Sequence, residues 1–283
     1  MTLILSGSEV VKSMKENLTA RVEKLKGHGI IPTLAIVRLG EKPDDLAYEK
    51  GIKKRCEITG INHKVFEFPE DISEQQLTNE LLKIDGDENI HGILVFRPLP
   101  KHIGEERIKN IISPQKDVDC MNPVNMAKVF AGDESGFAPC TPEAVIEMMD
   151  YYGISLEGKN AVIIGRSMVV GRPLSMLLLK KNATVTICHT RTQELEEVCR
   201  RADILIAAAG KAKMVKRNYV APGAVVIDVG INVDQDGNIC GDVDFEDVQD
   251  VAGSITPVPG GIGSITTSVL AKHVIQAAEN LIK

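Results

Sequence analysis

The sequence lacks several features that would assign it to simple classes of protein. It has no excess of basic residues, since 33 lysines and arginines stand against 39 acids, for a net charge of −6 and a pI of about 5.6. Phosphate contact normally needs a strongly basic face, so this balance argues against a nucleic-acid-binding protein. No segment approaches the run of about 18 apolar residues that a membrane span needs, and the N-terminal apolar run is too short for a signal peptide. Neither membrane insertion nor export is indicated.

Paired cysteines at metal-binding spacing are also lacking. The six cysteines lie at positions 56, 120, 140, 188, 199 and 240 and form no CxxC pair. This pattern is typical of reduced, mostly buried thiols. We therefore predict a cytoplasmic protein without a metal site.

Short β-rich apolar segments alternate with longer amphipathic ones in two successive series. The first series predicts strands at 33–40, 63–68 and 91–97, with helices around 8–26, 45–59 and 73–84. The second predicts strands at 160–165, 183–188, 202–210 and 223–232. Such alternation is typical of βαβ units, and a chain of 283 residues favours two domains over one. The fold class predicted is therefore α/β.

The division between the two domains is expected in a segment rich in proline, glycine and asparagine. We predict a first domain at residues 1–122 and a second at 123–265, with a last helix at about 266–283 that packs back onto the first. Within the dividing segment, Thr141 and Pro142 are predicted to be the N-cap and first position of a helix.

The segment NAVIIGRSMVVGRPLSM, at 160–176, has the layout of a dinucleotide site, with a buried strand, a glycine turn and the start of a helix. Its glycines, Gly165 and Gly171, are spaced more loosely than in GxGxxG, so a generic tight turn remains an alternative. A helix that starts near Gly171 would offer free N–H groups to a pyrophosphate.

The residues around the second strand of this unit indicate which dinucleotide would bind. An acidic residue after the strand would bind the ribose hydroxyls of NAD, but the sequence continues with His189, Thr190 and Arg191. Together with Arg166 in the first turn, Thr190 and Arg191 could bind a 2′-phosphate through charge-assisted hydrogen bonds. NADP is therefore the predicted cofactor.

A cluster of cations follows Tyr48 in AYEKGIKKRCE, residues 47–57. On a helix, Lys50, Lys53 and Lys54 would lie roughly 120 to 160° from the tyrosine, and the residue on the tyrosine's face is Ile52. The spacing favours a solvated cationic face.

Seven stretches resemble the methylenetetrahydrofolate dehydrogenase/cyclohydrolase family, in order and at similar intervals over nearly the whole chain. They are GILV..PLP at 92–100, PQKDVD at 114–119, PCTP at 139–142, GRSMVVGRP at 165–173, IDVGIN at 227–232, GDVDF at 241–245 and TPVPGGIG at 256–263. The resemblance implies a catalytic domain and a Rossmann-like NAD(P)-binding domain that flank a cleft, usually in a homodimer. Members oxidise 5,10-methylenetetrahydrofolate, and most then hydrolyse the methenyl product to 10-formyltetrahydrofolate.

Two sets of binding residues are predicted on this basis. The cofactor set is Gly165, Arg166, Ser167, Gly171, Thr190, Arg191, Gly230 and Ile231. The set for the tetrahydrofolate substrate is Tyr48, Val95, Pro98, Leu99, Asp119, Gly260, Gly261 and Ser264. In the family the tyrosine shapes the pterin site and the aspartate hydrogen-bonds the pterin-like ring. A turn-capping role for Asp119 remains an alternative.

The chain departs from the family pattern at catalytic positions. The register is fixed by matches at Tyr48, Lys54, Cys56, Glu57 and Gly60. In that register the family's catalytic lysine falls on Ile52, and its partner glutamine, in the usual GILVQLPLP, falls on Phe96. Further departures are Asp45 for serine, Cys120 for glycine, and Ser264 and Ile265 for proline and methionine. Replacing both members of a buried polar pair by apolar groups can be nearly neutral, so the protein need not be damaged.

These departures favour an NADP-dependent dehydrogenase whose cyclohydrolase activity is weak or absent. Hydride transfer mainly needs positioning, whereas hydrolysis needs water activation and a proton that Ile52 cannot supply. Two alternatives stay open. The protein is fully bifunctional if another group, such as Lys53 or Asp45, reaches the water, or it is a non-catalytic folate- or nucleotide-binding paralogue.

Overall fold

The computed structural model describes residues 2–282, which divide into two compact units. The first, here the three-stranded unit, comprises Ser13–Cys140 and the chain from Thr267 onward. The second, the six-stranded unit, comprises the chain up to Lys12 and Thr141–Thr266. Both are of the α/β class, as predicted.

The helices and strands of the described chain are as follows. The helices are α1 Gly7–Gly27, α2 Pro43–Thr59, α3 Glu74–Gly86, α4 Glu105–Ile108, α5 Pro123–Ala131, α6 Cys140–Tyr151, α7 Gly171–Lys180, α8 Leu195–Cys199, α9 Phe245–Val248 and α10 Thr266–Glu279. The strands are β1 Leu3–Ile4, β2 Thr33–Leu39, β3 Asn62–Phe68, β4 Gly92–Val95, β5 Asn160–Ile164, β6 Thr184–Cys188, β7 Ile204–Ala207, β8 Val225–Asp228, β9 Asn232–Val233, β10 Ile239–Cys240 and β11 Ser254–Ile255. Short 3-10 turns lie at Arg217–Tyr219 and Ile262–Ser264. None of the helices described is long and apolar enough to cross a bilayer.

The three-stranded unit is built on a parallel sheet in the order β3-β2-β4. The central strand β2 is buried along its whole length, as expected of a parallel strand that is covered on both faces. Helix α3 begins with a capping box between Ser73 and Gln76 and buries Leu77, Leu81 and Ile84 in the core of this unit. This core fixes the carboxyl ends of β2 and β4, where the loops of the candidate site start.

The six-stranded unit has the strand order β1-β11-β8-β7-β5-β6, and every neighbouring pair is parallel. The chain passes from β5 outward to β6 and then returns to the other side of β5 with β7. Ligands of open α/β sheets bind beyond the carboxyl ends of the strands at such a reversal of strand order. The reversal therefore marks the ends of β5 and β6 as a binding region.

The division between the units differs from the predicted one. The prediction separates residues 122 and 123, whereas the compact units divide between Cys140 and Thr141. Helix α5 stays with the three-stranded unit because its start is bound to Asp117, whose carboxylate accepts hydrogen bonds from the Asn122 N–H and the Asn125 Nδ2, each at 2.9 Å. Residues from Thr267 onward also group with this unit.

Several predicted elements have different bounds in the structure, among them two strands and a helix of the six-stranded unit. The strand predicted at 202–210 ends at Ala207, because the N–H groups of Ala209 and Gly210 turn to the carboxylate of Asp242. The strand predicted at 223–232 ends at Asp228, whose carboxylate accepts the Gly230 N–H at 2.9 Å. Helix α6 begins at Cys140, ahead of the predicted N-cap.

Candidate active site

Helix α2 carries Tyr48 and Ile52 on one face. It starts at Pro43, which suits the first turn, and ends where Gly60 adopts a left-handed conformation with φ of 79°. Tyr48 is 39% exposed, whereas Ile52, one turn later, is only 1% exposed. Position 52, which the family pattern gives to a lysine, is therefore apolar and closed to water in this unit.

A buried ion pair fixes α2 against the sheet. Arg38 on β2 and Glu49 on α2 are both buried, and their side chains are 2.8 Å apart. Glu49 also lies 3.5 Å from Lys53, while Lys50 and Lys54 are exposed. This arrangement agrees with a solvated cationic face, and it gives Lys53 an acidic partner on its own helix.

Phe96 directly follows β4 and packs against Tyr48. Their ring centroids are 5.4 Å apart with the planes inclined by 35°, and Phe96 is 7% exposed. The Phe96 N–H donates to the Val37 carbonyl at 3.0 Å, which continues the pairing of β4 with β2. Positions 52 and 96 are thus both filled by buried apolar side chains, as the paired departure from the family pattern predicts.

The segment that carries Asp119 runs beside β4. The Ile93 N–H donates to the Lys116 carbonyl at 2.7 Å, and the next acid, Asp117, is buried and accepts three hydrogen bonds. Burial raises the pKa of Asp117. Cys120 adopts a φ of 57°, the left-handed region that favours glycine, at the position where the family pattern has glycine. The hydrogen bonds to Asp117 therefore stabilise the turn, and the turn brings Asp119 next to the end of β4.

Asp119 has two partners in this unit. Its Oδ1 accepts the Cys140 N–H at 3.0 Å, and its Oδ2 lies 3.4 Å from the Nη2 of Arg97. The first contact caps the start of α6, which explains why that helix begins before Thr141. The capping interpretation of Asp119 is thus supported, while its role toward a pterin ring stays a prediction. The two are compatible, because a carboxylate has about four acceptor positions.

The phenol of Tyr48 faces the same groups. Loss of hydration raises its pKa, with smaller contributions from the nearby Cys140 and Asp119. The phenol is therefore protonated at neutral pH and can donate a hydrogen bond, but it is not a general base there. Of the other predicted substrate residues, Val95 is buried in β4, and Pro98 and Leu99 follow it.

The glycine turn of the six-stranded unit leaves no space for side chains. A Cβ on Gly165, whose φ is 132°, would lie 2.1 Å from the Ala208 carbonyl oxygen. A Cβ on Gly171 would lie 2.1 Å from the Gly165 carbonyl oxygen. Helix α7 begins at Gly171 without a side-chain cap. The Arg172 N–H donates to the Ser167 carbonyl at 3.1 Å and Pro173 has no N–H, so Gly171 is the residue of the first turn whose N–H can face a ligand. The turn has the close backbone packing that a pyrophosphate site requires.

The predicted 2′-phosphate residues lie at one edge of the sheet. Strands β5 and β6 pair in parallel with Ile164 opposite Cys188, so Arg166 follows one strand and Thr190 and Arg191 follow its neighbour. All three are exposed. The turn after β6 is held by hydrogen bonds from the His189 N–H to Thr192 and from the Arg191 N–H to the His189 ring. Ser167, in the first turn, accepts the Val170 N–H at 3.0 Å.

Two buried acids that sequence reasoning missed organise the loops beyond β7 and β8. Asp242 accepts hydrogen bonds from the backbone of Ala209, Gly210 and Lys211, and Asp228 accepts them from Gly230, Asp242 and Val243. Burial raises the pKa of Asp228 to about 6. A signal was present in the sequence, because each acid lies near a glycine, in DVGIN and GDVDF.

These two acids set the position of predicted cofactor residues. A Cβ on Gly230 would lie 2.4 Å from the Asp242 carboxylate, and Ile231 next to it is 70% exposed. The predicted substrate residues Gly260, Gly261 and Ser264 also belong to the six-stranded unit, whereas Tyr48 and Asp119 belong to the three-stranded unit. Within the described residues 2–282, no group of three or more histidine, cysteine or acidic side chains could hold a metal ion.

Comparison with known proteins gives the family of the chain. Residues 5–119 match the catalytic domain of tetrahydrofolate dehydrogenase/cyclohydrolase, and residues 139–282 match the NAD(P)-binding domain of the same family. The bifunctional protein FolD of Clostridium kluyveri is 55% identical over 280 residues, which cover 99% of each chain. The protein belongs to the tetrahydrofolate dehydrogenase/cyclohydrolase family.

Solved structures agree in fold. The bifunctional FolD enzyme of Campylobacter jejuni is 40% identical and superposes with a TM-score of 0.97 over 99% of this chain and all of that one. FolD of Trypanosoma brucei, solved with NADP and an inhibitor, is 31% identical with a TM-score of 0.94 over 100% of this chain and 99% of that one. The two-domain α/β fold predicted from the sequence is confirmed.

Proposed function

We propose that the protein oxidises 5,10-methylenetetrahydrofolate with NADP and then hydrolyses the methenyl product, the second step being the slower one. The observation that carries this proposal is the match of both family domains, in order, over nearly the whole chain. The names of relatives such as the C. kluyveri protein favour two activities. The buried apolar residues Ile52 and Phe96 favour a reduced second step.

NADP fits the groups at the edge of the six-stranded sheet. Gly165 and Gly171 keep the backbone close, and the start of α7 offers the Gly171 N–H and the positive end of the helix dipole to a pyrophosphate. Arg166, Thr190 and Arg191 would hold the 2′-phosphate. The NADP-bound T. brucei relative supports the same cofactor.

The first reaction, the oxidation, needs little acid–base catalysis from the protein. NADP, when bound, supplies the nicotinamide ring that accepts a hydride. As the hydride leaves the methylene carbon, the lone pairs of the adjacent nitrogens form a delocalised methenyl cation, so no general base is obligatory. Asp119 would accept hydrogen bonds from the pterin ring, and Tyr48 with Phe96 would bound the site. The role of these residues is positioning, which can contribute as much as about 7–11 kcal/mol to lowering a barrier.

The second reaction needs groups that positions 52 and 96 do not provide. Water must add to the methenyl carbon, and the departing ring nitrogen must receive a proton. A tuned acid–base side chain contributes about 10²–10⁴-fold to such a step. Because Ile52 and Phe96 have no ionisable group, we expect hydrolysis at a rate below that of oxidation.

A second candidate is a dehydrogenase that does not hydrolyse its product at all. The 1% exposure of Ile52 favours this second candidate, because the position that carries lysine in the family is not accessible to water in this unit. Adding methenyltetrahydrofolate to the protein without cofactor distinguishes the two candidates. Decay of the methenyl absorbance faster than in buffer supports two activities, whereas decay equal to that in buffer supports the dehydrogenase alone.

The cofactor assignment leads to a prediction for Arg166. Replacing Arg166 by alanine should raise the KM for NADP roughly 10-fold, about 1.4 kcal/mol, because a charge-assisted hydrogen bond to the 2′-phosphate is lost. The KM for NAD should change by less than about 2-fold. Initial rates with both cofactors give the result, and the matched control is Arg200→Ala, which removes an exposed arginine of the same unit that donates to the Asn218 carbonyl. An equal rise of the KM for NADP and of the KM for NAD would refute this role of Arg166.

The compartment and the oligomeric state of the protein are predicted from the family resemblance. We propose a cytoplasmic homodimer that binds neither nucleic acid nor membrane. Sedimentation of the purified protein tests the dimer directly, and a single monomeric species would contradict it.

A further inference from the structure

Arg97 and Asp119 form an ion pair that the family resemblance does not explain. Arg97 occupies a position that is leucine in the usual GILVQLPLP. Its Nη2 lies 3.4 Å from the Asp119 Oδ2, and its Nη1 lies 3.7 Å from the Glu105 Oε1. The side chains of Arg97 and Asp119 are 22% and 25% exposed. The guanidinium is therefore held between two acids, and it remains accessible at the residue that is predicted to bind the pterin ring.

The acceptor positions of Asp119 are not used up by its partners. An ionised carboxylate offers about four acceptor positions. The Cys140 N–H and the Arg97 Nη2 account for two of them. The remaining two suffice for a ligand that presents two neighbouring N–H groups.

The pteridine ring of tetrahydrofolate presents such an edge. Its 2-amino group and the adjacent ring N–H are donors, and the 4-oxo group beside them is an acceptor. Asp119 supplies acceptors for the two donors, and the adjacent guanidinium supplies N–H donors in a planar fork. The pair therefore offers two acceptors and an adjacent donor, which is the complement of the two donors and one acceptor of this edge.

We propose that Arg97 is a specificity-determining residue that donates a hydrogen bond to the 4-oxo group of the pteridine ring. This inference rests on the proposed function. It has a consequence for ligand choice, because a 2,4-diaminopteridine places a donor where the oxo group was. Arg97 would then face a donor and lose its hydrogen bond. Because ring N3 of the diamino compound carries no hydrogen, Asp119 loses a donor as well, so the change in preference on replacing Arg97 is what reports on the arginine. A site built to bond a polar group discriminates strongly against a ligand that cannot complete the bond.

Binding of two ligands to the intact protein tests the proposal. The dissociation constants of tetrahydrofolate and of its 4-amino counterpart are measured by calorimetry for the wild type and for Arg97→Leu. Wild-type protein should prefer the 4-oxo ligand. In Arg97→Leu, affinity for the 4-oxo ligand should fall roughly 10-fold or more, while affinity for the 4-amino ligand changes by less than about 2-fold. The ratio of the two constants is a readout that a purely structural role would not move.

Two further variants separate specificity from charge and from folding. Arg107→Leu removes a cation of the same unit that pairs with Glu74 at 3.0 Å, and it should leave both constants unchanged. Arg97→Gln keeps an N–H donor and should retain part of the preference, which also covers the case in which Arg97→Leu does not fold.

An equal loss for both ligands, or no loss, in a protein that binds tetrahydrofolate overturns the role of Arg97 and leaves the proposed function standing. A wild-type protein that binds neither ligand and forms no NADPH overturns the proposed function and this inference with it.

Discussion

Replacing Asp119 by asparagine is expected to lower kcat/KM for methylenetetrahydrofolate by roughly 100-fold, about 2.7 kcal/mol, while the fold stays intact. Hydrogen bonds to a charged group contribute about 1.5–3 kcal/mol, and the amide leaves one ring N–H of the ligand facing a donor. The asparagine carbonyl can still accept the Cys140 N–H that Asp119 now binds. Initial rates and thermal unfolding of the same preparation give both readouts.

Asp87→Asn is the matched control for this variant. Asp87 belongs to the same unit, accepts the Asn89 N–H and pairs with Lys64, so it is a turn-capping aspartate away from the site. Its replacement should affect unfolding only and leave kcat/KM unchanged. If Asp119→Asn behaves like this control, losing thermal stability but binding folate normally, then Asp119 serves only to cap the start of α6.

The double change Ile52→Lys with Phe96→Gln is expected to raise hydrolysis of methenyltetrahydrofolate by roughly 100-fold. An amine on the Tyr48 face would supply the proton-transfer group, within the range of about 10²–10⁴ that general acid–base catalysis contributes. The glutamine would give that amine a polar partner in a place that is now 7% exposed and apolar. Hydrolysis is followed without cofactor, so the oxidation step does not enter the measurement.

The single variants show whether the two positions act together. Ile52→Lys alone puts an ammonium at a position that is now 1% exposed, which disfavours the charged form, and hydrolysis should gain little. The gain of the double variant should exceed the product of the single gains. Dehydrogenase activity should change less, and Ile52→Met with Phe96→Leu controls for repacking. A double variant no faster than wild type would mean that another group already transfers the proton.

The fold was predictable because its signals are local. Buried runs such as TLAIVRL and NAVII predict parallel strands, and the glycine turn after β5 predicts the start of α7 within a few residues. The face of α2 was also predictable, since the helical repeat alone puts Ile52 one turn from Tyr48. The structure adds that this face is buried at position 52.

What the sequence could not reveal depends on contacts between distant segments. Asp119 and Cys140 are 21 residues apart, and their hydrogen bond moves the start of α6 ahead of Thr141. Asp242 reaches back more than 30 residues to hold the backbone of Ala209 and Gly210, which ends β7 early. A local pattern carries no information on such partners. The role of Arg97 was hidden for the same reason, because its partner Asp119 is 22 residues further along the chain.

The most direct test follows both reactions in one sample of purified protein supplied with methylenetetrahydrofolate and NADP. NADPH is read from its own absorbance, and the methenyl compound from its separate band. We expect NADPH to form at once and the methenyl compound to accumulate before it decays, because oxidation is faster than a hydrolysis that lacks a lysine at position 52. Absence of NADPH formation would contradict the dehydrogenase assignment, and NADPH formation with no accumulation of the methenyl compound would contradict the weakened second step.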